Sequence, residues 1–341
     1  MSSTGGKKRI LCLDYSKGIA ILLLLLSHCM SGSSILKTWI FSFHMPIFFI
    51  ICGILAAGNY PDGIRVNRFG NYLKKRCIQL LLPYFIWGGA LIAYYQFLNI
   101  ISDQKLTVWS QLISLISLQG IDSLWFIPVY FFAEMAAVFI IMRLNAKLQI
   151  LINLCGICLL IVMNVSGIPE NSLIRFALKI LIGMIFIYIG VIIKKFAVKR
   201  TVPVVVLIVC FLAGSGLAVY NGFAAIGSIE LQNVILFFAD ASLISIAVIG
   251  IFKHIDEKIT GNLKALRTFG ENTIVVLCTN NILIECIRLL DHKITGDILL
   301  DWGMGGSFLL AFILCFIEAG IIKAAEGPIG ILFGRTQKRK L

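Results

Sequence analysis

Apolar runs long enough to cross a bilayer recur along this chain from residue 11 to residue 322, and that recurrence constrains the fold more than any other feature. In hydrocarbon a backbone N–H or C=O finds no water, so a spanning segment must satisfy its own hydrogen bonds as a helix or in a closed barrel. Runs of about 20 apolar residues match a helix that crosses about 30 Å of hydrocarbon. We read ten of them, at 11–30, 38–57, 78–100, 124–143, 148–164, 173–193, 202–220, 234–252, 272–290 and 303–322. The expectation is an all-α, polytopic membrane protein with about ten transmembrane helices. No soluble domain, fixed-period repeat or cleavable signal peptide interrupts the pattern, so residues 1–341 read as one transmembrane domain with a flexible basic tail at about 335–341.

The net charge of +13 invites a nucleic-acid reading, but its distribution argues for membrane topology. Assigned to alternate loops, 23 lysines and arginines fall on the side of the two termini and 5 on the other. Lys17 and Lys179 sit inside spans and complete the 30. Basic loops stay in the cytoplasm, which predicts two cytoplasmic termini. The ten cysteines lie mostly within spans, where burial accounts for them. Cys155 and Cys158 form a CxxC in an apolar run without the polar surroundings of a redox or zinc site, and no metal is expected.

The polar residues inside apolar spans are the candidates for chemistry. Asp14 and Lys17 open the first span and can pair locally at a spacing of three. His28 lies near its other end, and eleven steps of about 100° put it within about 20° of the face of Lys17. The rise separates the two by about 16 Å, too far to touch but along one face. His44 enters the second span from the same outer side, and Pro46 frees a carbonyl and can bend the helix there. Arg76 marks the cytoplasmic entrance of the third span, Trp125 the outer end of the fourth, and Glu134 falls at mid-membrane. Each has a plain alternative. Lys17 could snorkel, Arg76 could be an ordinary cytoplasmic charge, Trp125 an interfacial anchor, and either histidine a polar group facing water or a neighbouring helix.

Two stretches, with three weaker ones, carry a resemblance. In Asp14-x-x-Lys17-Gly18, ten residues separate Lys17 from His28. The string FSFHMPIFFIICG then supplies Phe43, His44, Pro46, Phe48, Phe49 and Gly53. Weaker matches are Lys75-Arg76 with Pro83-Tyr84, Leu124-Trp125-Phe126 with Pro128, and Gly270-Glu271-Asn272-Thr273. Together these resemble the acyltransferase family 3 membrane O-acyltransferases. The resemblance implies a ten-span bacterial plasma-membrane enzyme. Such enzymes move an acyl group, usually acetyl from cytoplasmic acetyl-CoA, to a hydroxyl of an extracytoplasmic polysaccharide or lipid-linked sugar.

Carried over, it implies a catalytic role for His28 and a CoA-end role for Lys17 with Asp14. From the residues themselves we expect His44 to aid His28, Arg76 to serve the CoA end, and Trp125, Glu134 and Asn280 to serve the acceptor. Two departures stand out: Lys17 where many members have Arg, which keeps a point charge but loses the bidentate fork, and Thr279-Asn280-Asn281 where related sugar acetylases carry Thr-His-Asn. Two other classes fit ten spans with intramembrane acids. One is a proton-coupled secondary transporter, against which there is no inverted repeat; the other is a structural or signalling subunit.

Overall fold

A computed structural model of the chain describes residues 10–59, 66–102, 108–194, 202–258, 263–296 and 302–335. The described residues are overwhelmingly helical, with one isolated antiparallel bridge between Ala225 and Glu230. The helices, in order, are α1 (Leu11–Cys29), α2 (Ile35–Phe43), α3 (Pro46–Asn59), α4 (Val66–Arg76), α5 (Leu82–Ser102), α6 (Val108–Ile116) and α7 (Phe126–Arg143). They continue as α8 (Ala146–Ser166), α9 (Ser172–Ile193), α10 (Val204–Asn221), α11 (Val234–Lys258), α12 (Lys264–Glu271), α13 (Thr273–Thr295) and α14 (Met304–Ala324).

Ten stretches among the described residues are long and apolar enough to cross a membrane, and each overlaps one of the expected spans. The second span is α2 and α3 together. It breaks at His44 and Met45, where Pro46 takes the first position of α3 and needs no N–H partner there. The third span begins earlier than expected, at Phe69, because the basic helix α4 runs on into α5 through a π-helical turn at Cys77–Leu81, just before Pro83. The outer loop expected at 101–123 holds α6, whose Leu115 carbonyl accepts a 2.9 Å hydrogen bond from the Tyr84 hydroxyl. Residues 103–107, including Asp103 and Lys105, and residues 336–341 of the expected tail lie outside the described residues.

Burial separates core from rim. The α2–α3 span is 83% buried, whereas α8 and α10 are 11% and 17% buried and present Leu, Ile and Val outward. Exposed apolar helices of this kind suit a lipid surround. Cys155 and Cys158 are free and exposed on α8.

The first span sits centrally, packed on α2, α3, α11, α12, α13 and α14. Two of its contacts require glycine. A Cβ on Gly18 would run into the Leu266 carbonyl, and one on Gly270 into the Asp14 carbonyl, so α1 and α12 touch backbone to backbone. Gly53 and Gly190 do the same for α3 and α9, against Ile187 and Ile50. Small residues that let backbones approach closely are a usual means of joining helices in a bilayer.

Candidate active site

Asp14 is buried and Lys17 half-buried, and their side chains pair at 2.7 Å on the first turns of α1. Lys17 lines a cavity of about 890 Å3 that opens at this end of the bundle. The same cavity is lined by Lys75, Arg76 and Arg335, against two carboxylates, Glu134 and Glu271. Four cations facing two anions favour an anionic occupant, and the volume falls toward the upper end of ordinary ligand sites.

Arg76 is committed within this wall. Its Nε donates to Glu134 Oε2 at 2.7 Å, its Nη2 donates to the same oxygen, and Nη1 reaches Gln79 Oε1 at 3.2 Å. Glu134 also accepts from the Tyr72 hydroxyl at 2.5 Å. The partner of the mid-span Glu134 is therefore 58 residues away on the π-bulged third span. Such bulges recur at functional sites because they re-aim side chains. Glu134 thus joins Lys17 and Arg76, not Trp125 and Asn280. Arg335, at the start of the expected tail, folds back and donates to Ala325 O at 2.8 Å and to Asn272 Oδ1.

At the other end of α1, His28 Nδ1 lies 3.1 Å from Asn280 Oδ1. The Asn280 amide is oriented by its own helix: Nδ2 donates to Val276 O at 2.7 Å and to Leu277 O at 3.1 Å. The oxygen that faces His28 can only accept, so Nδ1 carries the proton and Nε2 keeps its lone pair. Leu277 also lines the large cavity. The inner wall of that cavity is therefore one hydrogen bond from the amide that orients His28.

His28 and His44 line one small cavity of about 160 Å3, together with Met45, Ser123 and Trp125. The Nδ1 of His44 donates to Ile40 O at 2.7 Å, which fixes its tautomer in the same sense. Trp125 is turned to this cavity, with Lys179 Nζ 5.0 Å above its ring, within cation–π range.

The remaining wall is a segment that sequence reading passed over. Between α10 and α11 the chain turns inward, burying Ala224, Ala225, Ile226 and Ile229. Ile229 adopts φ 58° there, a region that a β-branched residue enters only when its surroundings impose it. Arg175 pins the turn through a 2.6 Å hydrogen bond to Ser228 O. The only sequence signals were Gly222 and Gly227 between two apolar runs.

The site residues read from sequence thus fall into two groups, one toward each end of α1. Lys17, Arg76 and Glu134 line the large cavity, with Asp14 paired to Lys17; His28, His44 and Trp125 line the small one, with Asn280 behind His28. Among the described residues no group of three or more His, Cys, Asp or Glu could hold a metal ion.

Ten membrane-length spans among the described residues, with cavities toward either end of α1, define a multi-pass membrane protein. The family model described as an acyltransferase domain matches residues 10–322, and the chain belongs to that acyltransferase family. A curated relative is the nodulation protein NolL of Sinorhizobium fredii (strain NBRC 101917 / NGR234), 34% identical over 95 residues. That match spans 25% of this chain and 25% of the relative. No solved structure matches the chain.

Proposed function

We propose that this chain is an integral membrane O-acyltransferase of the bacterial plasma membrane. It would take acetyl from acetyl-CoA at the Lys17 end and deliver it to a hydroxyl of an extracytoplasmic polysaccharide or lipid-linked sugar at the His28 end. The observation that carries this reading is the His28–Asn280 hydrogen bond, which leaves Nε2 unprotonated on a histidine that lines cavities at the far end of α1 from Lys17.

In this reading the anionic end of the donor lies in the large cavity among Lys17, Lys75 and Arg335. Arg76, held by Glu134, shapes the wall. The arm of the donor extends along α1, and the small cavity accommodates the acetyl group beside Trp125. Its volume of about 160 Å3 favours a short acyl group.

His28 Nε2 accepts the proton of the acceptor hydroxyl as the oxygen attacks the thioester carbonyl. When the carbon–sulfur bond breaks, His28 returns that proton to the departing thiolate. His44 stands on the same cavity and can orient the hydroxyl or the carbonyl. General-base catalysis of this kind is worth about 10²–10⁴ in rate. Asp240, buried with neither carboxylate oxygen bonded among the described residues, would suit a proton-coupled transporter, but family membership favours acyl transfer. Membranes given radiolabelled acetyl-CoA test the reading: label should enter envelope glycan, and label that stays soluble would count against it.

A further inference from the structure

His28 has a second flank. A separate cavity of about 320 Å3 lies on it, lined by Lys37, Asp122, Asn281, Glu285 and Arg288 together with Tyr95. Phe41 and His28 are shared with the small cavity, so the imidazole stands between an apolar chamber and a polar one.

The polar chamber has charges of both signs, and their existing bonds decide what it can take. Both cations are engaged at the C-terminal end of α1. Lys37 Nζ donates to Met30 O at 2.9 Å and to Gly32 O at 3.2 Å, while Arg288 Nη2 donates to His28 O at 3.2 Å. Cations at these carbonyls complement the negative end of the helix. Arg288 Nη1 is also on Glu285 Oε1 at 3.2 Å. Its Nε is buried with no hydrogen-bond partner among the described residues.

The carboxylates have acceptor capacity to spare. Asp122 accepts from the Tyr95 hydroxyl through Oδ2, and Glu285 is bonded through Oε1. Each carboxylate oxygen has about two lone-pair sites, so further donors can be accommodated. Asp122 is also held at φ 48°, a left-handed conformation that Asp and Asn tolerate better than other side chains.

A second anion would meet two carboxylates that balance the two cations, so the chamber offers it no net positive charge. A neutral polyol meets open acceptors, one unsatisfied donor and the Asn281 amide, and each hydroxyl both donates and accepts. The volume lies at the lower end of ligand sites, enough for one ring.

We infer that this cavity is the acceptor subsite and that it binds one uncharged pyranose ring, with Asp122 and Glu285 accepting from its hydroxyls. The inference rests on the acyl-transfer reading for its link to His28, but sugar binding itself does not. The reacting hydroxyl of the bound ring would face His28, and the rest of the glycan would extend past the exposed Asp122.

The test is saturation-transfer NMR on the whole protein in lipid nanodiscs, free of sugar detergents. The probes are methyl α- and β-D-hexopyranosides, glucuronate and glucose 6-phosphate. Wild type should transfer saturation to at least one methyl hexopyranoside and less to the charged sugars. The Asp122→Asn/Glu285→Gln double variant replaces charge-assisted hydrogen bonds with neutral ones, which should weaken that signal roughly tenfold. Gel filtration and helical circular dichroism should be unchanged. Glu285→Gln alone carries the test if the double variant does not fold, with roughly a threefold loss expected.

No transfer to any methyl hexopyranoside, equal transfer in the variants, or a preference for the charged sugars would overturn the inference. Sugar binding by a wild type that moves no label from acetyl-CoA would leave the subsite standing and remove the acyl-transfer reading.

Discussion

His28 on the first span and Asn280 on the ninth meet at 3.1 Å across 252 residues of chain, with the amide held by two carbonyls of its own helix. A residue that acts by fixing a tautomer should affect turnover more than substrate binding. Asn280→Ala should lower kcat by about 10²-fold, the cost of a misplaced reacting group, with the donor KM little changed. Asn280→Asp keeps an oxygen toward His28 but turns its second oxygen against Val276 O and Leu277 O. It should cost about 1–3 kcal/mol in stability. Steady-state kinetics with thermal unfolding separates the two effects. An Asn280→Ala enzyme with unchanged kcat would remove Asn280 from the site.

Arg76 and Lys75 are neighbours in sequence with opposite expected phenotypes. Arg76→Ala leaves Glu134 buried beside Tyr72 without its cation, a loss of about 3–5 kcal/mol, and should deplete folded protein in the membrane. Arg76→Gln combined with Glu134→Gln should recover much of that loss. Lys75→Ala, at an exposed position on the cavity wall, should leave the melting temperature alone and weaken acetyl-CoA binding severalfold. Titration of binding and melting curves on the same preparations would show it. A stable Arg76→Ala protein with weak donor binding would instead make Arg76 a direct ligand.

The ten spans were legible because each is a long apolar run, and the charge pair Asp14–Lys17 was legible because both residues lie within one turn. Pairings between distant helices were not. Nothing local in the sequence joins Arg76 to Glu134, or Asn280 to His28, since helix packing alone brings them together. The Asn280 position drew notice as a departure from a family string, not as the partner of His28. Arg335 looked like part of a basic tail because the 3₁₀ turn at Pro328–Phe333 that carries it back is too short to leave a periodic signal. The inward turn at Ile229 was hidden because its strained conformation is imposed by the surrounding helices rather than by its own residues.

The backbone contact between α1 and α12 gives a stability test at motif glycines. Gly18→Ala and Gly270→Ala each place a methyl group against a carbonyl of the facing helix. Overpacking of this kind costs about 1–3 kcal/mol, and the two changes should add to less than their sum because they strain one contact. Gly89→Ala, which meets nothing within 4 Å, is the control and should be neutral or slightly stabilising. Thermal unfolding of the wild type, the two single variants, their combination and the control in one detergent reads the result. A neutral Gly18→Ala would mean that α12 can move freely off α1.

Orientation decides on which side each substrate arrives. The charge bias of 23 to 5 predicts Lys17 near the cytoplasm and His28 near the outside. Asn262, a natural probe of the cytoplasmic side, lies outside the described residues, so the exposed Glu326 replaces it. A membrane-impermeant maleimide added to intact cells should label Ser33→Cys and miss Glu326→Cys until the cells are opened. The reverse pattern would move the large cavity to the outer face, away from cytoplasmic acetyl-CoA.

The central claim is that His28 is the base in acyl transfer, and the measurement that meets it most directly follows radiolabel from acetyl-CoA into envelope glycan in membranes carrying His28→Ala. Immunoblotting and gel filtration establish that equal amounts of folded protein are compared. Incorporation should fall by about 10²–10⁴, to background, while acetyl-CoA still binds at the Lys17 end. Incorporation near the wild-type rate by the His28→Ala protein would contradict the assignment.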